Sequence, residues 1–150
     1  MTAVSCAELL SHTGEATQLE QVVETGPGKL AASLTVRPGT AFSLCDGSLA
    51  AWAGPELVAQ AVSVFANLNY RKGAAPGLGL LLGVRDFRIR PDPFPAGSLL
   101  RVEVTESTRD EDGRGVFNCR ILRGGEAVAE GRLTVLQPDD PWTTLGEQVL

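Results

Sequence analysis

The sequence predicts an α+β domain in which an antiparallel sheet wraps around one long helix, and three observations lead to this fold class. Two segments with alternating apolar residues come first, at 18–24 and 30–36, and one helical segment without glycine or proline follows at 56–68. Period-two alternation then returns in four further segments. These are 78–90, 98–106, 114–122 and 127–136. With 150 residues, 43% of them hydrophobic, the chain is expected to form one domain over residues 1–150.

Short turns between the strands indicate how the strands pair. The first two strands are joined by Gly26-Pro27-Gly28, and the pairs Asp112-Gly113 and Gly124-Gly125 join later ones. Neighbouring strands are therefore expected to pair antiparallel. A short helix is predicted at 7–11, and an irregular stretch at 37–49.

The predicted helix has an unusual distribution of polar residues. Pro55 stands where a first helical residue would, and the polar side chains that follow are spaced four, three and four apart, on one stripe: Glu56, Gln60, Ser63 and Asn67. A solvent-facing side is the common explanation of such a stripe. Because this one has a single charge and the rest of the helix is apolar, we favour a buried central helix whose polar line faces a cavity or a subunit seam.

The composition excludes several kinds of site. The only histidine is His12, so a histidine-rich metal centre cannot be built, and the three cysteines form no CxxC pair. These cysteines favour a reducing, cytoplasmic location, and no apolar run is long enough to cross a membrane. A net charge of −5 argues against nucleic acid as a partner.

Several segments together resemble the hotdog-fold β-hydroxyacyl-[acyl carrier protein] dehydratases, with the greatest likeness to the subgroup of aryl polyene pathways. The main one is residues 49–61, LAAWAGPELVAQA, in which small residues precede a helix that opens on a carboxylate and has Gln four residues later. Shorter similar segments are spread over nearly the whole chain. They are 9–12 (LLSH), 81–85 (LLGVR), 115–119 (GVFNC) and 136–140 (LQPDD).

The resemblance implies removal of water from a 3-hydroxyacyl thioester, a substrate held on the phosphopantetheine of an acyl carrier protein, with no metal or other cofactor. Glu56 matches the family's helix carboxylate, which donates a proton to the leaving hydroxyl. Gln60 matches the residue that orients this carboxylate. The backbone N–H groups of Ala51 and Trp52 match those that polarise the thioester carbonyl.

The family's catalytic histidine is missing from this chain. Relatives have it in the loop before the helix, where this sequence has GTAFS at 39–43 and Thr40 stands at the histidine position. A threonine hydroxyl is too weak a base to remove the α-proton. His12 and Cys45 are poor substitutes, because the amino-terminal element is structural in the family and nothing near Cys45 marks it as activated.

Since two hotdog chains of this type share each active site, the missing histidine predicts a heterodimer. A homologous hotdog subunit would supply the histidine, this chain would supply Glu56, and the site containing Thr40 would be inactive. Two alternatives remain open: a non-catalytic subunit that stabilises an active partner, and a hotdog acyl thioesterase with a helix carboxylate near an activated water.

Charge is unevenly distributed along the chain. Residues 71–101 contain six basic and two acidic residues, an excess of four positive charges in an acidic protein. Such a region attracts an acidic acyl carrier protein, and Arg88 and Arg90 are the predicted contacts. An ordinary solvated strand face explains the same residues.

Overall fold

The computed structural model describes residues 4–6, 18–70, 80–111 and 114–136. The strands in these ranges are β1 (Val4–Ser5), β2 (Gln21–Gly26), β3 (Lys29–Thr35), β4 (Leu80–Ile89), β5 (Leu99–Arg109), β6 (Arg114–Arg123) and β7 (Glu126–Leu136). A 3₁₀ turn, Ala51–Ala53, leads into the helix α1, Gly54–Tyr70. The strands form one sheet in the order β1-β2-β3-β5-β6-β7-β4, with antiparallel pairing between neighbours.

The alternation in the sequence separates the two faces of this sheet. On β5 the inward-facing Leu100, Val102 and Val104 are buried, and α1 packs across the same inner face. The ring of Phe65 on the helix meets that of Phe117 on β6 edge to face, with centroids 5.4 Å apart. A sheet around one largely buried helix is the architecture that the sequence predicts.

The strand pairing follows the turns, with one exception. Pro27-Gly28 joins β2 to β3, and Gly124 and Gly125, both at positive φ, join β6 to β7 as predicted. The Asp112-Gly113 pair lies outside the described residues. The prediction that neighbours in sequence pair is wrong for β4 and β5, because β4 lies at the far edge of the sheet and pairs with β7.

The connection between β4 and β5 explains this exception. It contains prolines at 91, 93 and 95, which cannot donate hydrogen bonds to a neighbouring strand. Phe94 is buried in the middle of it, and exchanges backbone hydrogen bonds of 2.8 and 2.9 Å with Leu49 before the helix. This connection therefore leads from β4 at the edge of the sheet to β5 in its middle.

Most strand ends differ from the predicted ones by one to three residues, and both ends of the helix differ by two. The helix begins at Gly54 and ends at Tyr70, so it is longer at both ends than predicted. β2 begins at Gln21 instead of residue 18, because a side chain of α1 binds the amides of the preceding residues, as described below. The two residues of β1 are too few to show alternation, and the helix predicted at 7–11 lies outside the described residues.

A β-bulge in β4 connects the edge of the sheet to the start of the helix. The pairing register with β7 shifts between Arg85 and Arg88, and Asp86 has a φ of 52°. The bulge places Phe87 against two glycines. A Cβ at Gly131 would lie 2.9 Å from Phe87 Cα, and one at Gly54 would lie 2.6 Å from Ile89 Cδ1 and 3.4 Å from Phe87 Cε1. Both glycines therefore permit a close approach of β4 to the core and to α1.

Candidate active site

The start of α1 presents backbone donors at the surface. The N–H of Ala53 donates to the carbonyl of Ala50 at 3.0 Å, and the N–H of Gly54 donates to Ala51. Among the backbone hydrogen bonds of the described residues, none uses the N–H of Ala51 or of Trp52. First-turn amides of this kind attract negative charge at a helix start. Their role in polarising a thioester carbonyl stays a prediction.

Glu56 and Gln60 lie one turn apart on α1 and are hydrogen bonded. Gln60 Nε2 donates to Glu56 Oε1 at 3.0 Å. Gln60 is only 1% exposed, whereas Glu56 is half-buried. One oxygen of the Glu56 carboxylate is thus bound by a buried side chain, and the carboxylate itself is partly accessible.

The orientation of the Gln60 amide is determined by two further donors. The backbone N–H groups of Gln18 and Leu19 both point at Gln60 Oε1, at 2.9 and 3.4 Å. Because an amide oxygen accepts and its nitrogen donates, these contacts turn the Nε2 group toward Glu56. Sequence reasoning missed Gln18 and Leu19, and no local signal identifies them, since they lie 42 and 41 residues from Gln60.

The rest of the polar stripe divides between the interior and the surface. Asn67 is buried like Gln60, and Ser63 is half-buried like Glu56. The helix is otherwise buried around most of its circumference, as predicted. Half of the stripe is therefore enclosed by the chain itself, and Glu56 and Ser63 are partly accessible.

Thr40 lies in the loop that packs on the helix start. Phe42 accepts a hydrogen bond from the N–H of Ala50 at 3.2 Å, and its ring meets Trp52 edge to face with centroids 5.4 Å apart. Trp52 is nonetheless 66% exposed. The loop that contains Thr40 thus lies next to the helix start, and the assignment of Thr40 to the histidine position stays a prediction.

The hydroxyl of Thr40 is bound within its own loop. Ser43 Oγ accepts from the N–H of Thr40 at 3.0 Å and donates to the carbonyl of Arg37 at 3.1 Å. Since Ser43 has one proton, Thr40 Oγ1 is the donor in the 2.7 Å contact between the two hydroxyls. A hydroxyl that donates its proton to a neighbour is not arranged to act as a base.

The other candidate nucleophiles and bases are His12 and the three cysteines, which differ in burial. His12 lies outside the described residues, and Cys45 is exposed. Burial raises the pKa of the Cys6 thiol to about 12, and Glu20 adds to this effect. Burial likewise raises the pKa of Cys119 to about 12. The two buried thiols are therefore unreactive near neutral pH.

The outer face of the sheet, opposite α1, has most of the charged residues. Arg88 and Arg90 lie there on and just after β4, where Arg90 is paired with Glu126 and Arg88 is opposite Glu130 in register. Arg88 borders a shallow cleft of about 490 Å³. The predicted carrier contacts are therefore exposed, but acidic side chains accompany both.

An ion-pair network occupies the middle of this face. Glu103 on β5 accepts hydrogen bonds from Arg101 at 2.8 Å and from Arg120 at 2.5 Å. Burial alone would raise the pKa of Glu103, but the two guanidinium groups outweigh it and lower the pKa below its ordinary value. The network stabilises the sheet and lies far from the helix start.

The described residues have neither a cluster of metal-ligand side chains nor a membrane-spanning helix. No three His, Cys, Asp or Glu side chains in these ranges are grouped in a way that could hold a metal ion. No helix in the same ranges is long and apolar enough to cross a membrane.

Comparison with solved structures supports the fold and the family. A chain of the dehydratase heterocomplex ApeI:P from Xenorhabdus doucetiae is 29% identical and superposes with a TM-score of 0.86, covering 97% of both chains. A point mutant of the phenylacetic acid degradation protein PaaI from Thermus thermophilus is 20% identical, with a TM-score of 0.60 over 82% of this chain and 96% of its own. An HP0420 homologue from Helicobacter felis is 17% identical, with a TM-score of 0.63 over 90% and 88%.

The two more distant structures show the fold alone, and the hotdog fold that the sequence predicts is confirmed. None of the curated protein sequences matches the chain. The model of the ApeP-like family, described as ApeP dehydratase, matches residues 4–146. The chain therefore belongs to the ApeP-like dehydratase family.

Proposed function

We propose that this chain is one subunit of a 3-hydroxyacyl-[acyl carrier protein] dehydratase, and that it completes the active site only with a homologous chain that has the missing histidine. The observation that supports this most strongly is the hydrogen bond from Gln60 to Glu56, with the Gln60 amide turned by Gln18 and Leu19. These contacts hold the Glu56 carboxylate in one orientation, as transfer of a proton to a bound substrate requires. The coarser assignment, a dehydratase subunit, rests on the family.

In the proposed reaction each half of the site moves one proton. The partner's histidine removes the α-proton, and the electrons of that C–H bond form the double bond to the β-carbon. The bond from the β-carbon to the hydroxyl breaks, and Glu56 donates a proton so that water leaves. The amides of Ala51 and Trp52 bind the thioester oxygen as negative charge develops on it.

Two features of the chain support a composite site. The Thr40 hydroxyl is already a donor within its loop, so the base must come from elsewhere. The clefts that the described residues form on the outer face are lined by the sheet, whereas Glu56 lies on the side of α1. A partner chain placed against the helix start would enclose the carboxylate.

The edge strand β4, outermost among the strands that the structure describes, is the proposed position of that partner. An edge strand has unpaired backbone groups that can pair with another chain. Val84 shares the inner face with Leu133, its partner in register, yet Val84 is 40% exposed and Leu133 is fully buried. Because Phe87 on the same strand contacts Gly54, a chain seated on β4 would lie next to the start of α1.

We propose that the substrate arrives on an acyl carrier protein, whose acidic surface Arg88 and Arg90 attract. Arg88 is the stronger contact of the two, since Glu126 already neutralises Arg90. Charge reversal at Arg88 should weaken carrier binding more than reversal at Arg90. Equal carrier affinity of both variants and the unchanged protein would remove this face from the proposal.

Co-expression with a hotdog chain that has a histidine at the position of Thr40 tests the function. Formation of the enoyl product from a 3-hydroxyacyl carrier protein is measured for each chain alone and for the purified pair. We expect activity of the pair to exceed that of this chain alone by at least about 100-fold. Full activity of this chain alone would contradict the proposal.

The same assay distinguishes the two alternatives. Release of free acid from the thioester without enoyl product would indicate a thioesterase. Unchanged activity of the pair after Glu56→Gln would indicate a subunit that only stabilises its partner. Glu111→Gln, in an exposed turn after β5, is the matched control and should leave activity unchanged.

A further inference from the structure

Two arginines lie opposite each other at the edge of the sheet. Arg85 on β4 and Arg132 on β7 are partners in register, so their side chains share the outer face. Both are accessible to solvent, and Arg132 Nε donates to Asn118 on the next strand at 3.2 Å. Neither arginine forms an ion pair with any described carboxylate. Like charges in this position destabilise a strand pair unless an anion neutralises them.

Three other arginines of the same face are neutralised within the chain. Arg90 is paired with Glu126, Arg101 with Glu24 and Glu103, and Arg120 with Glu103. Arg132 lines the same cleft as Asp86, Glu103 and Glu130, but none of these carboxylates forms an ion pair with Arg85 or Arg132 among the described contacts. The strand register places Asn118 and then Thr105 next to Arg132 in the same row. The row from Arg85 to Thr105 therefore has no carboxylate.

Within the described sheet this row ends at the edge strand β4, where it would meet a second chain. Suppose that two copies of this chain paired antiparallel through β4 with the two Arg85 residues opposite each other. The row would then contain Arg132 and Arg85 of one copy, followed by Arg85 and Arg132 of the other. Four arginines would then be adjacent across the seam. A register centred one residue away, at Val84, would still place the two Arg85 side chains on a diagonal, within reach of each other.

We propose that Arg85 and Arg132 determine the choice of partner: they disfavour pairing of this chain with itself and select a homologous chain with a carboxylate on the outer face of its edge strand. This inference rests on the heterodimer of the proposed function. A carboxylate of the partner chain opposite Arg85 would be attracted by the guanidinium groups of both Arg85 and Arg132. A second copy of this chain would instead place its own two arginines next to them and be repelled. Discrimination between partners then comes from both attraction and repulsion.

Arg85→Gln tests the proposal on the full chain, because Arg85 is exposed and its replacement leaves the core intact. Self-association of the chain is measured by sedimentation, and affinity for the co-expressed histidine-containing hotdog chain is measured by titration. Arg123→Gln removes the same charge at the hairpin end of β6 and is the matched control. Circular dichroism of each variant confirms that it is folded.

We expect Arg85→Gln to tighten self-association by about tenfold, since repulsion is lost for both copies, and to weaken binding of the partner by a similar factor. Self-association of the unchanged protein should also rise between about 0.05 M and 0.5 M salt, which screens the arginines. Arg123→Gln should change neither affinity.

Two results would overturn the proposal. If Arg85→Gln and Arg123→Gln gave the same self-association, Arg85 would not act against self-pairing. If Arg85→Gln self-associated but bound the partner unchanged, Arg85 would only protect a free edge. A pair that forms without dehydratase activity would contradict the proposed function and leave this inference standing, because neither measurement depends on catalysis.

Discussion

Replacement of Gln60 by methionine should cost the protein much of its stability. Methionine has a similar length and no amide, so the buried N–H groups of Gln18 and Leu19 would lose their acceptor. Each buried donor left without an acceptor costs about 1–3 kcal/mol, and the more apolar side chain offsets about 1–2 kcal/mol. The expected net loss is about 3 kcal/mol, or a fall in Tm of about 6–12 °C.

Urea unfolding followed by circular dichroism measures this loss. Gln21→Met, at an exposed glutamine on β2, is the matched control and should change the free energy of unfolding by less than about 0.5 kcal/mol. A loss of the same small size for Gln60→Met would refute the assigned hydrogen bonds.

Gln60→Glu separates the two roles of the amide. A glutamate keeps an acceptor for the two N–H groups. It also places a carboxylate oxygen where Gln60 Nε2 now lies, 3.0 Å from Glu56 Oε1. Two such carboxylates share one proton, so the pKa of the pair is raised above the ordinary value of about 4.3. The variant should therefore be less stable than the unchanged protein at pH 7, and the difference should shrink as the pH falls through the raised pKa. A difference independent of pH would contradict the contact.

Three further predictions concern other parts of the chain. Gly131→Ala should lower the free energy of unfolding by about 2 kcal/mol, because the new Cβ would lie 2.9 Å from the backbone Cα of Phe87; an unchanged urea midpoint would contradict this packing. Glu103→Gln should cost about 1 kcal/mol at neutral pH, and the difference should begin to shrink at the ordinary value of 4.5 and disappear as the pH falls through the lowered pKa, because Arg101 and Arg120 stabilise only the charged carboxylate. An aromatic disulfide reagent should modify one thiol per folded chain, and Cys45→Ser should abolish this reaction; a second fast thiol would show that a buried cysteine is accessible.

The strands of the second half could be predicted because each has one buried and one wet face. The inward-facing residues of β5 alternate with charged ones, which is the pattern that burial on one side requires. The edge position of β4 could not be predicted, because it depends on where the connection through Phe94 crosses the fold. An isolated glycine inside a strand, Gly131, is the one sequence signal that indicates the close approach of Phe87.

The candidate site could be predicted only as far as the helix alone determines it. A spacing of four residues places Glu56 and Gln60 together on any helix. The spacing does not reveal that Gln60 is buried while Glu56 is half-buried, since burial depends on segments far away in sequence. The hydrogen bonds between Thr40 and Ser43 likewise could not be predicted, because they depend on the turn that brings Ser43 next to Thr40.

The central claim is that one of the two sites in the pair works, with Glu56 from this chain and the histidine from its partner. Dehydration of a 3-hydroxyacyl carrier protein should be measured on two purified pairs, one with Glu56→Gln and one with glutamine at the partner's own helix carboxylate. The first should lose at least about 100-fold in rate, and the second should keep its activity, because that carboxylate faces Thr40. Retained activity in the first pair, or loss only in the second, would contradict the account.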